Sequence, residues 1–81
     1  MLKPLTKREI QTLQFALDFY VAHDRLPRGV DVAMHWNFAT PTGVRLLMSL
    51  RDKGYLEKSG ITYRFSREWK GRPKPEVKNI L

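Results

Sequence analysis

Cysteine is absent from the 81 residues. Disulfide staples, thiolate metal sites and cysteine nucleophiles are therefore excluded, and a reducing cytoplasm is the expected setting, nucleoid-associated if the source is bacterial or phage. Histidine occurs twice, as His23 and His35. With Asp24 and Asp31 as their only acidic neighbours, they fall short of the converging ligands a metal site requires. No glycine-rich phosphate loop is present, so neither enzyme activity nor cofactor nor metal is expected. No apolar run approaches the ~18 residues of a membrane span, and the first nine residues lack the apolar core and cleavage site of a secretory signal. No membrane partner is expected. Acid is also scarce: 8 Asp and Glu stand against 15 Lys and Arg, a net charge of +7. Such a surplus points to a polyanion, most often nucleic acid. What is present suffices for one small core, since 42% of the residues are hydrophobic and 11% aromatic.

The first helix is expected from Lys7 to His23. Thr6 and Glu9 have the spacing of a capping box, with Leu5 placed to staple onto Ile10. Ile10, Leu13, Ala16, Leu17, Tyr20 and Val21 recur at helical spacing and predict the buried stripe. Phe15 and Phe19 fall on the opposite side. They imply either a helix buried on both sides or a docking surface. Leu26-Pro27 ends the segment. A short second helix is expected from Gly29 to Trp36, with Val30 and Ala33 inward, Trp36 or Met34 beside them, and Asn37 left-handed after it. Thr40-Pro41 announces the third helix, Thr40 as cap and Pro41 as first residue. Val44, Leu47 and Leu50 predict its core stripe, and Gly54 its left-handed close. The period then changes to alternation. Tyr55–Lys58 and Ile61–Phe65 read as strands around a Ser59-Gly60 turn. That turn pairs Leu56 with Tyr63 and Lys58 with Ile61, and turns Leu56, Ile61, Tyr63 and Phe65 toward the helices.

Three helices followed by a two-stranded hairpin make an α+β, mainly α chain in the order of a winged helix-turn-helix, with the domain at 1–66 and a basic, proline-containing tail at 67–81. The motifs resemble the DNA-binding domain of LexA repressors. Leu5-Thr6-Lys7-Arg8-Glu9 is similar to that family's opening, and Phe15, Asp18, Phe19 and Tyr20 to its first helix. Leu26-Pro27-Arg28-Gly29-Val30-Asp31-Val32-Ala33 is similar to its proline-led second helix, Thr40-Pro41 to the start of its recognition helix, and Leu50-Arg51-Asp52-Lys53-Gly54-Tyr55-Leu56 to its entry into the wing. Arg28 departs from the usual Ser or Thr cap, and Asn37 from the usual glycine. The resemblance implies a third helix in the major groove, where each base pair displays its own donor and acceptor pattern. By position it implies base reading by Thr42, Arg45, Leu46 and Ser49, with Arg45 suited to guanine. It implies backbone contacts from Thr40, Lys53, Lys58, Thr62 and Arg64, which position without specifying.

The tail adds Lys70-Gly71-Arg72-Pro73-Lys74, which resembles an AT-hook core. Lys70, Arg72 and Lys74 would then enter a narrow minor groove; the plainer alternative is a flexible basic tail. Trp69 is expected either as a lid on the wing and the first helix, against Phe15 or Phe19, which is the favoured reading, or as an exposed anchor. Two functions follow. One is a sequence-specific double-stranded DNA-binding protein, a small transcriptional regulator or repressor. The other is a winged-helix module that binds and modulates a protein partner through Phe15, Phe19 and Trp69. Two half-sites would call for a homodimer, built from those residues or from Val77, Ile80 and Leu81.

Overall fold

A computed structural model describes residues 2–73. Three helices, α1 (Lys7–His23), α2 (Gly29–Trp36) and α3 (Thr40–Asp52), precede a hairpin of β1 (Leu56–Ser59) and β2 (Thr62–Phe65). The chain is α+β and mainly helical, compatible with a winged-helix architecture.

Helix α1 starts at the expected capping box. The Thr6 N–H donates to Glu9 Oε1 at 2.7 Å, and the Glu9 N–H to Thr6 Oγ1 at 3.2 Å. It ends at Asp24, left-handed with φ 57°. Its buried face is Glu9, Thr12, Leu13 and Ala16; of the predicted stripe Leu13 and Ala16 are inside and Leu17 and Tyr20 are half-buried, but Ile10 and Val21 are not. Ile10 is 55% exposed and Val21 82% exposed, while Leu5 packs on the core in place of the expected staple. The reason is that two polar residues go inside with their bonds made. Thr12 Oγ1 donates to the Arg8 carbonyl at 2.8 Å, and Glu9 finds partners on α3. Buried polar groups are tolerated once bonded, and an apolar count cannot foresee that. Phe15 and Phe19 are half-buried. Phe15 stacks on His35 of α2 at 4.1 Å, and Phe19 lies 4.3 Å from the His23 ring.

Helices α2 and α3 touch backbone to backbone. A Cβ on Gly43 would fall on the Gly29 carbonyl and within 2.8 Å of the Ala33 nitrogen. Only glycine allows that approach. Gly43, Leu47 and Leu50 are therefore the buried face of α3, and the predicted Val44 turns outward at 40% exposure. In α2, Val32 and Ala33 are buried, while the predicted Val30 and Met34 are exposed. Asn37 takes the left-handed position at φ 58°. The cap of α3 is Ala39, so Thr40 and Pro41 are its first two residues rather than cap and first. At its other end Gly54 has φ 96°. The Gly54 N–H donates to the Arg51 carbonyl and the Tyr55 N–H to the Leu50 carbonyl, at 3.0 and 2.9 Å. This is a Schellman close.

The antiparallel hairpin pairs Leu56 with Phe65, Lys58 with Tyr63 and Ser59 with Thr62. Its turn is therefore Gly60-Ile61, one residue later than expected. Gly60 carries the positive φ of 63° at the first central position, the pattern of a type II′ turn. The predicted Ser59-Gly60 turn would leave that position to a serine. Ile61 consequently projects from the tip at 94% exposure instead of facing the helices. Packing also continues past Ser66. The Ser66 N–H donates to the Tyr55 carbonyl at 3.1 Å, and Trp69 lies against Tyr55 and Phe65 with ring centroids 5.9 and 5.7 Å away. Tyr55 also donates its hydroxyl to the Lys3 carbonyl at 3.0 Å. Leu13, Ala16, Leu26, Val32, Leu47, Leu50 and Leu56 form the core.

Candidate nucleic-acid interface

With Gly43, Leu47 and Leu50 inward, the outward face of α3 is Pro41, Val44, Arg45, Met48 and Asp52, all exposed. Arg45 carries an exposed guanidinium with no ion pair among the described residues. The other expected base readers do not share its setting. Thr42 is half-buried in the first turn. Leu46 packs against the core, because it flanks the buried face. Ser49 donates its hydroxyl to Glu9 Oε2, so it looks toward α1.

Lys53 also turns inward. Its ammonium lies 2.6 Å from Glu9 Oε1, with the lysine side chain 27% exposed and the glutamate 7%. Burial pushes the Glu9 carboxyl up, but the Lys53 ammonium, the Ser49 hydroxyl and the Thr6 amide and hydroxyl outweigh it and hold the group at about 2. Two residues expected at DNA thus serve one buried carboxylate that fastens α1 to α3. The sequence offers a signal for this in Glu9 itself, which already reaches back to its own cap and has a second oxygen to satisfy.

On the hairpin, Lys58 is exposed, with its ammonium 4.6 Å from the Tyr63 ring centroid. Thr62 donates its hydroxyl to the Ser59 carbonyl at 3.0 Å. Arg64 grips Glu57 through two nitrogens, at 3.2 and 3.0 Å. Glu57 is held below its usual range, first by the Arg67 backbone N–H and then by Arg64. Thr40 is exposed at the start of α3, whose first turn contains no acid.

One groove joins these elements. A recess of about 190 Å³ is lined by Arg28 at the start of α2, Val44 of α3, and Lys58, Ile61 and Thr62 of the hairpin. Arg28 and Val44 were not among the expected contacts. The signal for Val44 lies in Gly43, a residue without weight in a hydrophobic pattern that nonetheless fixes which side of α3 faces in. Arg28 caps α2 with its N–H on Asp31 Oδ2 at 2.8 Å, and its side chain is 67% exposed. Asp31 lies below its usual range: burial pushes it up, and the Arg28 amide and the charges of Arg28 and Arg25 outweigh that.

In the tail, Lys70 is exposed. Arg72 lies in a turn, its guanidinium donating to the Arg67 and Trp69 carbonyls at 2.9 and 3.0 Å. An AT-hook needs this stretch extended, and its described residues turn back at Arg72, whose N–H donates to the Trp69 carbonyl at 3.2 Å. Lys74, Val77, Ile80 and Leu81 lie outside the described residues. Phe15, Phe19 and Trp69 are each engaged within the chain, Phe19 also by the Arg25 guanidinium at 4.8 Å, and Trp69 covers the wing rather than Phe15 or Phe19. Among the described residues no three metal-ligating side chains cluster, and no helix is long and apolar enough to cross a membrane. No protein-family model matches the chain, and no curated protein matches it in sequence.

Proposed function

We propose that the protein binds double-stranded DNA sequence-specifically and acts as a small transcriptional regulator. The outer face of α3 enters the major groove and the hairpin rests on the adjacent backbone. The observation that carries this reading is the single recess in which Arg28, Val44, Lys58 and Thr62, from α2, α3 and the wing, stand side by side. Beside it Arg45 is exposed and unpaired among the described residues. Arg45 is the residue suited to guanine O6 and N7. Val44 and Met48 are suited to thymine methyl groups. Arg28, Thr40, Lys58 and Arg64 supply phosphate contacts.

The test is selection of bound duplexes from a random pool at fixed salt. The expected result is one enriched motif of a few contiguous base pairs, lost with Arg45→Ala. A pool that returns no motif refutes the reading. A second reading, a protein-docking module, rests on Ile61 at 94% exposure, which shares a recess with Val44, and on Val44 and Met48 at 40% each. This reading expects no motif, and it expects Ile61→Asp to leave DNA affinity unchanged.

A further inference from the structure

A second and larger groove lies between the α1–α2 loop and β2. It holds about 590 Å³ and is walled by Asp24, Arg25, Leu26 and Arg28 of the loop and by strand β2. Arg25, Arg28, Arg64 and Arg72 all line it, and Asp24 is its one lining acid. Tyr20, Tyr63 and Phe65 form its apolar wall.

Three of these guanidiniums are steered from behind by carboxylates that do not line the groove. Asp31 stands 3.6 Å from both Arg25 and Arg28, and Glu57 stands 3.0 Å from Arg64. The fourth, Arg72, is held by two carbonyl oxygens and pairs with no acid among the described residues. Asp31 is shared between two arginines, so the groove keeps a surplus of positive charge. It is also rich in donors, because the Tyr20 and Tyr63 hydroxyls have no hydrogen-bond partner among the described residues. Many donors and few acceptors, beside the Tyr63 ring and the Tyr20 and Phe65 rings that meet edge to face at 80°, describe the complement of an oxyanion attached to a planar ring. Guanidinium forks bind phosphate oxygens in pairs. The volume is that of a small-molecule site, since such sites span ~300–1,000 Å³.

We infer that this groove binds a nucleotide carrying two or three phosphates, its phosphates among Arg25, Arg28, Arg64 and Arg72 and its base against Tyr63 and Tyr20. Arg28, Thr62 and Tyr63 line both grooves, and Arg28 and Arg64 are also assigned to DNA phosphates, so an occupied site overlaps the edge of the face assigned to DNA. The inference does not require the DNA reading, and its test contains no DNA.

The experiment is calorimetric titration of the full chain with a nucleoside triphosphate, and separately with inorganic triphosphate, at low salt. The nucleotide is expected to bind at least ~10-fold more tightly than inorganic triphosphate, because the ring adds its own contacts. Arg25→Gln is expected to weaken nucleotide binding ~10-fold while the circular dichroism spectrum stays that of the parent. Backbone amide resonances of Tyr20, Thr62 and Tyr63 are expected to shift on titration, and those of Met48 and Asp52 to stay. Equal affinity for the two ligands, no heat at millimolar nucleotide, or an Arg25→Gln variant that binds as the parent does would each overturn the inference. For a variant that loses its fold, the amide shifts of the parent decide.

Discussion

Replacing Glu9 by Gln should be among the most costly conservative changes in this chain. The glutamate carboxylate receives the Thr6 amide, the Ser49 hydroxyl and the Lys53 ammonium. Glutamine keeps the shape and one acceptor, but it puts an NH₂ where the second oxygen faced donors. Moving a carboxyl from 4.5 in the open chain to about 2 in the fold corresponds to about 3 kcal/mol of stability at neutral pH. Lys53 retains 27% exposure and can turn its charge to water, so the net loss expected for Glu9→Gln is about 2 kcal/mol. A domain of this size has total stability of order 4–12 kcal/mol, so the change is a large fraction of it. Urea melts followed by tryptophan emission should place the variant's midpoint about 2 M lower at pH 7, for a slope near 1 kcal/mol per M. The pH dependence has a fixed direction. Because the folded-state value is depressed, the contribution is complete above about pH 5 and is lost as pH falls toward 2. More than half of it is gone by pH 3. The parent and variant curves should therefore converge as pH drops. A variant as stable as the parent at pH 7, or a gap of the same size at pH 7 and pH 3, would refute the role given to Glu9.

Gly43→Ala should lower stability by about 3 kcal/mol, read as a fall in melting temperature, because the new methyl meets the Gly29 carbonyl and the Ala33 nitrogen rather than a movable side chain. Asn37→Gly should gain up to about 1 kcal/mol in the same melt, since Asn37 sits at φ 58° where glycine carries no steric cost. On DNA, Arg45→Ala should cost about 1–3 kcal/mol on the preferred site and relax one base position. Lys58→Ala should weaken all sequences alike and make the log–log salt slope shallower by about 1; equal losses for both variants on specific and random DNA would count against α3 as the reader.

The boundaries of α1 and α2 were legible because their punctuation is chemical: a capping box at Thr6 and Glu9, a proline at Pro27, an asparagine that accepts the left-handed position at Asn37. Which face of each helix turns inward was less legible. In α1 the inward positions include Glu9 and Thr12, and in α3 they include Gly43. A pattern of apolar residues is blind to all three. One residue of helical rotation then moved Ser49 and Lys53 from the outer face to the Glu9 network and brought Val44 out. The hairpin was legible as a hairpin, but its register depended on whether Gly60 stood first or second in the turn. A one-residue difference there decided whether Ile61 packed inside or crowned the tip. The placement of Trp69 depended on its contact with Tyr55, a residue distant in sequence that only the fold brings to it, whereas Phe65 is a near neighbour along the chain.

Tyr55 has a mechanical consequence. Its N–H closes α3, its carbonyl receives the strand end at Ser66, its hydroxyl holds the N-terminal segment at Lys3, and its ring meets Trp69. Four parts of the chain are pinned to one residue between the helix and the hairpin. The angle between α3 and the wing therefore has little play, and the two present themselves to a ligand as one stiff template. A duplex placed against both surfaces would have to do the yielding. Sequences that bend or twist easily at that spacing would then be favoured even at base pairs no side chain reaches.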